Sequence, residues 1–132
     1  MKTLQVAVGV LINARKQVLI GQRTVKDRYY QKWEFPGGKL EPGEQPSDAL
    51  TRELAEELGI TVHTAEPLIE LRHQYPDRDV HLFVFRVTEY SGTPQGQERQ
   101  ALQWTSVAEL ENIDFLSGNT KIVEALQAFL KA

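Results

Sequence analysis

Residues 38–60 read GKLEPGEQPSDALTRELAEELGI, and they carry the clearest structural signal in the chain. Pro46 suits the first turn of a helix, because an N–H at that position has no helical partner to lose. Gly59 suits the stop after the last turn, where backbone often takes a left-handed conformation. The stretch therefore predicts an amphipathic helix over Pro46–Leu58.

Two sides of this helix differ in chemistry. Apolar residues recur every four positions and predict a stripe that packs on a sheet, formed by Leu50, Leu54 and Leu58. Beside the stripe, within an arc of about 100°, lie Glu53, Glu56 and Glu57. Like charges at this spacing repel by a few tenths of a kcal/mol per pair in an isolated helix. A divalent cation would turn that repulsion into ligation.

The available ligand types favour a hard cation. Carboxylate oxygens suit Mg²⁺ and Mn²⁺, whereas Zn²⁺ prefers cysteine and histidine. The chain has no cysteine, and its 3 histidines are scattered at positions 63, 73 and 81. We therefore expect Mg²⁺ or Mn²⁺ and not Zn²⁺.

Charge is unevenly distributed around the helix. The formal net charge is −3, which argues against a protein that wraps a nucleic acid polymer. Residues 23–39 nevertheless hold five bases against two acids, and residues 41–57 hold six acids against one base. A basic loop beside an acidic segment suits a metal-bridged polyphosphate, although two solvated faces would give the same pattern.

Composition places the chain among ordinary globular domains. It has 132 residues, 41% hydrophobic and 25% charged, so we expect a single domain over residues 1–132. No apolar run is long enough to span a membrane, and no signal-peptide pattern opens the chain. The lack of cysteine excludes disulfides and thiol catalysis and fits a cytoplasmic location.

Two familiar phosphate-binding motifs are missing. Gly38-Lys39 resembles the end of a P-loop, but Trp33 stands where its first glycine is required and Leu40 where a hydroxyl is required. No GxGxxG sequence occurs, so a dinucleotide-binding fold has no support.

Strand and turn signals surround the helix. Thr3–Ile12 and Gln17–Gly21 predict the two strands of a hairpin, followed by a loop over Arg23–Lys32. The remaining predicted elements are strands at Trp33–Lys39, Leu68–Tyr75, Val80–Thr88 and Leu102–Thr105, a loop at Ser91–Arg99, a short helix at Val107–Leu110 and a terminal helix at Lys121–Lys131. Mixed strands with two substantial helices indicate an α/β or α+β sandwich.

The spacing of residues 38–60 resembles the Nudix box of the Nudix hydrolases. The matching positions are Gly38, Glu44, Arg52-Glu53-Leu54, Ala55, Glu56-Glu57, Leu58 and Gly59-Ile60. Further likeness, to the MutT branch of that family, lies in Leu4–Gly9, Glu34–Lys39, Tyr75–Arg78, Glu98, Trp104 and Asn119. The resemblance covers most of the chain and weakens between Val62 and Glu70 and in the last helix.

This resemblance implies a fold and an activity. The fold would be a Nudix α/β/α sandwich with a mixed, curved β-sheet. The activity would be Mg²⁺-dependent hydrolysis of a nucleoside triphosphate, 8-oxo-dGTP above all, to the monophosphate and pyrophosphate. Its partner would be a small-molecule nucleotide, with no nucleic acid polymer and no membrane, and the protein would be a monomer. Hydrolysis of CTP, dCTP or other nucleotides, or a non-catalytic nucleotide-binding module, are the alternatives.

The resemblance also implies roles for individual residues. Metal would be held by the backbone carbonyl of Gly37 and by Glu53, Glu56, Glu57 and Glu98. Arg52 would orient Glu53, which is the first candidate for the general base, with Glu98, Glu56 or a metal-bound hydroxide as rivals. Glu44 would support the loop geometry and the metal balance. Substrate would contact Arg23, Arg28, Glu34, Phe35, Pro36, Gly37, Lys39, Arg78 and Asn119.

Several of these residues have ordinary structural interpretations as well. Asn119 precedes the last helix and could be its N-cap instead of a group that reads the purine. Phe35 could belong to the core or stack on the base. Glu98 and Arg23 could be surface charges.

Overall fold

The computed structural model describes residues 3–131 as two helices on opposite sides of a curved, mixed β-sheet. The strands are β1 Thr3–Leu11, β2 Gln17–Gln22, β3 Trp33–Glu34, β4 Gly37–Lys39, β5 Thr61–Tyr75, β6 Arg78–Ser91 and β7 Leu102–Ser106. The helices are α1 Pro46–Leu58 and α2 Thr120–Lys131, with short 3-10 helices at Val107–Asn112 and Ser117–Asn119. No helix within residues 3–131 is long and apolar enough to cross a membrane.

The strands form two sheets. The larger has the order β4-β1-β6-β5, in which β1 and β6 are parallel and the other pairs antiparallel. The smaller has the order β3-β2-β7 and is antiparallel throughout. The mixed sheet and the flanking helices confirm the predicted sandwich.

Alternation along the central strands divides the core in two. On β1, Val8 and Val10 face the core that includes α2, while Ala7 and Leu11 face the core that includes α1. A strand with both faces buried has apolar residues at consecutive positions, as β1 does. This places β1 and β6 centrally, with one helix over each face.

Helix α1 forms as the sequence predicts. Its apolar stripe is fully buried, and Gly59 ends it with φ +71° and an N–H bonded to the Ala55 carbonyl at 3.1 Å. The helix packs closely on β1: a Cβ added at Gly9 would lie 2.9 Å from Leu54 Cδ1. The acidic side of α1 thereby lies beside β4, where the Gly37 N–H bonds to Glu57.

The predicted hairpin at the N-terminus is wrong. Strands β1 and β2 belong to different sheets, and only an isolated bridge, Ile12 to Val18, joins them beyond the turn. Because β1 is buried on both faces, it takes the central position between β4 and β6. The local turn brings the two strands together and they then diverge.

The predicted strand at Trp33–Lys39 is also wrong, because it is two strands in different sheets. The chain crosses between the sheets at Phe35 and Pro36. Neither residue donates to a ladder: the N–H of Phe35 is bonded to the Asn119 side chain, and proline has no N–H. The Pro36 carbonyl accepts from the Gly9 N–H at 2.8 Å. The crossing lies directly beside α1.

Strand β5 begins seven residues earlier than the sequence suggested, at Thr61 instead of Leu68. Its first half contains Pro67 and register shifts between Val62 and Ile69. An edge strand tolerates proline and bulges, because its outer N–H groups need no partner strand. Those interruptions hid the strand from a pattern based on alternation.

Candidate active site

Arg52 organises the acidic side of α1. Its Nε and Nη2 atoms each lie 2.9 Å from a different carboxylate oxygen of Glu44, which makes a bidentate pair. Its Nη1 donates to Glu53 Oε1 at 2.9 Å, and its Nη2 also donates to the Lys39 carbonyl at 2.9 Å. One guanidinium therefore joins the helix, the preceding loop and the end of β4.

Glu44 is the chief anchor of that guanidinium. The hydrogen bonds from Arg52, then the backbone N–H of Glu41 at 2.9 Å, lower the pKa of Glu44 to about 2. In turn, the hydrogen bonds to Glu44 and Glu53 raise the pKa of Arg52. The pair is thus ionised throughout the neutral range, and its geometry holds Glu53 in one orientation.

Glu53 lies against backbone that has no side chain. A Cβ added at Gly38 would lie 2.2 Å from Glu53 Oε2, so only glycine leaves room for this carboxylate. Arg52 holds Oε1 while Oε2 faces Gly38. The glycine pair at the end of the sheet crossing and the acid on α1 therefore fit as one unit.

Glu57 contacts the backbone at the start of β4. Its Oε2 accepts from the Gly37 N–H at 3.3 Å. Burial raises the pKa of Glu57 to about 8, and the charge of Glu34 adds to that rise, as do those of Glu98 and Glu53. Crowded acids of this kind are the environment that a cation stabilises.

A cavity of about 200 Å³ collects most of the predicted metal ligands. Its walls include Gly37, Glu53, Glu57 and Glu98. Glu56 lies outside this lining; its side chain is 55% exposed and points to Arg52, with Nη1 3.4 Å from Oε2. Within residues 3–131, no three acidic or histidine side chains converge as a ready-made metal cluster. The donors are nevertheless all oxygens, which fits a hard divalent cation.

A larger cavity of about 370 Å³ adjoins the acidic one, and both are lined by Arg23, Val25, Glu34 and Gly37. It collects seven of the predicted substrate residues: Arg23, Glu34, Phe35, Gly37, Lys39, Arg78 and Asn119. Its apolar wall, which the sequence did not indicate, includes Leu4, Val6, Val8, Val80, Leu82 and Leu116. Arg28 is exposed and Pro36 is buried, and neither lines these two cavities.

Asn119 and Phe35 meet in the lining of the larger cavity. Asn119 is buried, and its Oδ1 accepts from the Phe35 N–H at 3.0 Å. The Phe35 ring is 3% exposed and stacks on Phe115 with the centroids 5.4 Å apart. Phe35 thus belongs to the core and also lines the cavity, which joins the two interpretations left open by the sequence.

Charged groups in the wall of the larger cavity are paired with each other. Arg23 lies 3.2 Å from Asp27 and 3.4 Å from Glu34. Burial raises the pKa of Glu34, and Arg23 opposes that rise. The Nε atoms of Arg23 and Arg78 are buried and make no hydrogen bond within residues 3–131.

Tyr29 ties the loop after β2 to the turn between β5 and β6, a link that the sequence did not reveal. Its hydroxyl donates to Asp77 Oδ1 at 2.8 Å, and its ring meets Tyr75 edge-on at 5.4 Å. The Arg78 guanidinium lies 5.5 Å from the Tyr29 centroid and 5.8 Å from that of Tyr75. Two aromatic rings thus hold one side of the cavity wall in place.

Comparison with known proteins agrees with this geometry. A family model described as the NUDIX domain matches residues 3–126. The chain belongs to the Nudix hydrolase family. Nudix hydrolases are generally dependent on divalent metals and act on small nucleotides, which agrees with an acidic cavity that opens into a larger one.

Individual relatives match nearly the whole chain. An 8-oxo-dGTP diphosphatase of Escherichia coli K12 is 38% identical over 127 residues, covering 96% of this chain and 98% of the relative. A CTP pyrophosphohydrolase of the same organism is 35% identical and covers 100% of this chain and 97% of its own. A solved MutT structure, from work on Aliivibrio salmonicida and Vibrio cholerae, is 31% identical with a TM-score of 0.80 and covers 95% of this chain and 96% of its own. The Nudix resemblance noted in the sequence is confirmed.

Proposed function

We propose that this Nudix hydrolase cleaves 8-oxo-dGTP to 8-oxo-dGMP and pyrophosphate, and so removes an oxidised nucleotide from the precursor pool. One observation carries the proposal: the acidic cavity adjoins a cavity that has an apolar wall and the buried Asn119 side chain in its lining. Such a pair of cavities suits a triphosphate attached to a flat, polar-edged base. The 38% identical relative is an 8-oxo-dGTP diphosphatase.

The acidic cavity provides for the triphosphate. We assign Gly37, Glu53, Glu57 and Glu98 as ligands of Mg²⁺, which Mn²⁺ would replace, with Glu56 at the edge of the set. When bound, the metal neutralises phosphate charge and stabilises the negative charge that develops on the leaving oxygen. Arg23 lines both cavities and Lys39 lines the larger one, so both residues bring positive charge close to the phosphates.

Glu53 is the proposed general base. Its Oε1 is held by Arg52 at 2.9 Å, which orients the carboxylate that we propose accepts a proton from the attacking water. The water oxygen bonds in line to a phosphorus of the triphosphate as the adjacent anhydride P–O bond breaks, and the nucleoside monophosphate and pyrophosphate are released. Arg52 and Glu44 act as positioning residues because they touch Glu53 or each other and not the substrate.

The larger cavity provides for the base. The Oδ1 atom of Asn119 is bonded to Phe35, so its NH₂ group is the donor available to a carbonyl of the purine. Glu34 and Arg78 supply further polar groups at the cavity wall, which Phe35 also lines. Pro36 follows Phe35 at the crossing between the sheets and is proposed to support that wall. Arg28, in the loop over Arg23–Lys32, is exposed and lines neither cavity, so its contact with substrate stays a prediction.

A second candidate is hydrolysis of CTP or dCTP, favoured by the CTP pyrophosphohydrolase relative that matches the whole chain at 35% identity. Four further features stay predictions: the single domain over residues 1–132, the monomeric state, the cytoplasmic location and the absence of polymer or membrane partners.

A substrate panel separates hydrolysis of 8-oxo-dGTP from hydrolysis of CTP or dCTP. Purified protein with Mg²⁺ is given 8-oxo-dGTP, dGTP, CTP and dCTP, and pyrophosphate release is measured. The highest kcat/KM on 8-oxo-dGTP supports the proposal, whereas a preference for CTP overturns it.

A further inference from the structure

The loop between β6 and β7 carries Glu98 and is tied to the end of α1. The backbone N–H of Gln95 donates to the Leu58 carbonyl at 2.9 Å, and that of Gln97 donates to the Glu57 carbonyl at 3.1 Å. The last carbonyls of a helix have no partner within the helix, so an adjacent loop that offers N–H groups satisfies them. The C-terminal end of α1 is therefore where this loop docks.

One side chain in the loop bridges two of the proposed metal ligands. The Oε1 of Gln100 accepts from the backbone N–H of Glu98 at 3.0 Å. The Nε2 of the same amide donates to the backbone carbonyl of Glu57 at 3.3 Å. Residues 57 and 98 come from separate parts of the chain, and this amide is a direct link between their backbones.

Glutamine is suited to this bridge because its amide holds a donor and an acceptor on one planar group. A carboxylate would keep the acceptor and lose the donor to Glu57, and methionine would keep the length and lose both. Gln100 also lines the acidic cavity together with Glu57 and Glu98, so the bridge lies at the site and not behind it.

The bridge restricts the conformational freedom of Glu98, which is exposed and lies in a loop. A ligand on a loop must lose conformational freedom when metal binds, which weakens binding. A bridge that already fixes its backbone removes part of that loss. Groups that orient metal ligands typically change metal affinity 10–100-fold when they are removed.

We propose that Gln100 is a positioning residue that sets the distance between Glu98 and Glu57 for divalent metal. The inference rests on the proposed function, since it takes both glutamates as ligands. It predicts that loss of the Gln100 amide weakens metal binding even without nucleotide, while the fold and the base cavity remain intact.

The test compares Gln100→Met with Gln95→Met, a matched change in the same loop at an exposed side chain that makes no hydrogen bond within residues 3–131. Mn²⁺ binding to nucleotide-free protein is followed by electron paramagnetic resonance, with Glu98→Gln as the reference. We expect Gln100→Met to raise the Mn²⁺ Kd about tenfold, at the low end of the range for orienting groups. The Kd of Gln95→Met should match wild type.

Two further measurements exclude a merely structural role. The backbone amide of Glu98 should exchange its hydrogen faster in Gln100→Met. The Tm, and the KM for 8-oxo-dGTP at saturating Mg²⁺, should stay near wild type. A lower Tm with an unchanged Mn²⁺ Kd would overturn the inference. Gln100→Leu repeats the measurement if the methionine variant folds poorly.

The outcomes separate this inference from the proposed function. If Glu98→Gln weakens Mn²⁺ binding and Gln100→Met does not, Gln100 has no positioning role and the proposed function stands. If Glu98→Gln leaves the Kd unchanged, the inference fails because Glu98 is no ligand. If the wild-type enzyme cleaves none of the nucleotides but Gln100→Met and Glu98→Gln both bind Mn²⁺ less tightly, the proposed function fails and the positioning role stands.

Discussion

The backbone N–H of Phe35 donates a 3.0 Å hydrogen bond to Oδ1 of Asn119, across 84 positions of the chain. This bond fixes the amide of Asn119 in the cavity and replaces the ladder bond that Phe35 gives up where the chain crosses between sheets. The same side chain therefore supports the fold with its oxygen and offers its NH₂ group to a ligand.

Asn119→Asp separates these two roles. The carboxylate still accepts from the Phe35 N–H but offers no donor to the base. If the NH₂ group donates to the C8 carbonyl, which dGTP lacks, KM for 8-oxo-dGTP should rise about tenfold, the equivalent of one hydrogen bond, and KM for dGTP should rise less. Asn119→Ala should add a stability loss of about 1–3 kcal/mol, because a buried N–H is left unpaired. Steady-state kinetics measure the two KM values and thermal unfolding measures the stability, with Asn112→Ala as control. An unchanged ratio of the KM for 8-oxo-dGTP to the KM for dGTP would end the recognition role.

Acid should unfold the protein partly through Glu44. Its folded pKa is about 2 and the usual value is 4.5, so its stabilising effect is complete above pH 4.5 and is lost as pH falls toward 2. Glu44→Gln keeps the shape and removes the ion pair with Arg52. The Tm difference between wild type and Glu44→Gln should therefore be large at neutral pH and shrink below about pH 4. The exposed Glu124→Gln serves as control, and a difference that is constant with pH would contradict the assignment.

The local parts of the site were accessible from the sequence. Helix α1 depends on spacing within 13 residues, on Pro46 and on Gly59, so its limits and its buried leucines followed from short-range rules. The acids of α1 were placed on one side for the same reason. The bidentate contact of Arg52 with Glu44 spans eight residues and required knowledge of how the preceding loop folds back.

The long-range contacts of the fold and the site could not be predicted from the sequence. Nothing local distinguishes Tyr29 from the exposed Tyr30, yet only Tyr29 bonds to Asp77. Gln100 is one of three glutamines in its loop, and its bridge depends on where α1 ends relative to β7. The split of Trp33–Lys39 between two sheets likewise follows from tertiary pairing, which a local strand pattern does not encode.

Glu57→Gln should weaken metal binding without weakening the fold. Burial raises the pKa of Glu57 to about 8, so a neutral amide of the same shape suits this position in metal-free protein. We expect an unchanged or higher Tm without metal at neutral pH, and a Mg²⁺ concentration for half-maximal rate that rises at least about tenfold. A Mg²⁺ titration of activity together with Mn²⁺ binding measures the effect. An unchanged titration would remove Glu57 from the ligand set.

Alanine substitutions at Gly37 and Gly38 should have different effects, one on stability and the other on turnover. A Cβ at Gly37 would lie 2.0 Å from the Ala7 carbonyl oxygen, which is backbone and has no room to move. A Cβ at Gly38 would instead meet the Glu53 carboxylate at 2.2 Å, and that flexible side chain is able to turn away. Gly37→Ala should therefore lose at least about 3 kcal/mol of stability. Gly38→Ala should keep a Tm near wild type and lose about 100-fold in kcat, because the proposed base is displaced by an ångström or more.

Thermal unfolding and pyrophosphate release on the same preparations distinguish these outcomes. Gly21→Ala is the matched control, since its added Cβ would lie 3.5 Å from Leu102 Cδ2, an ordinary contact, on a strand that borders the acidic cavity. It should retain both Tm and turnover. A Gly38→Ala enzyme with near wild-type kcat would show that Glu53 need not lie where Arg52 holds it, and the assignment of Glu53 as general base would then fail.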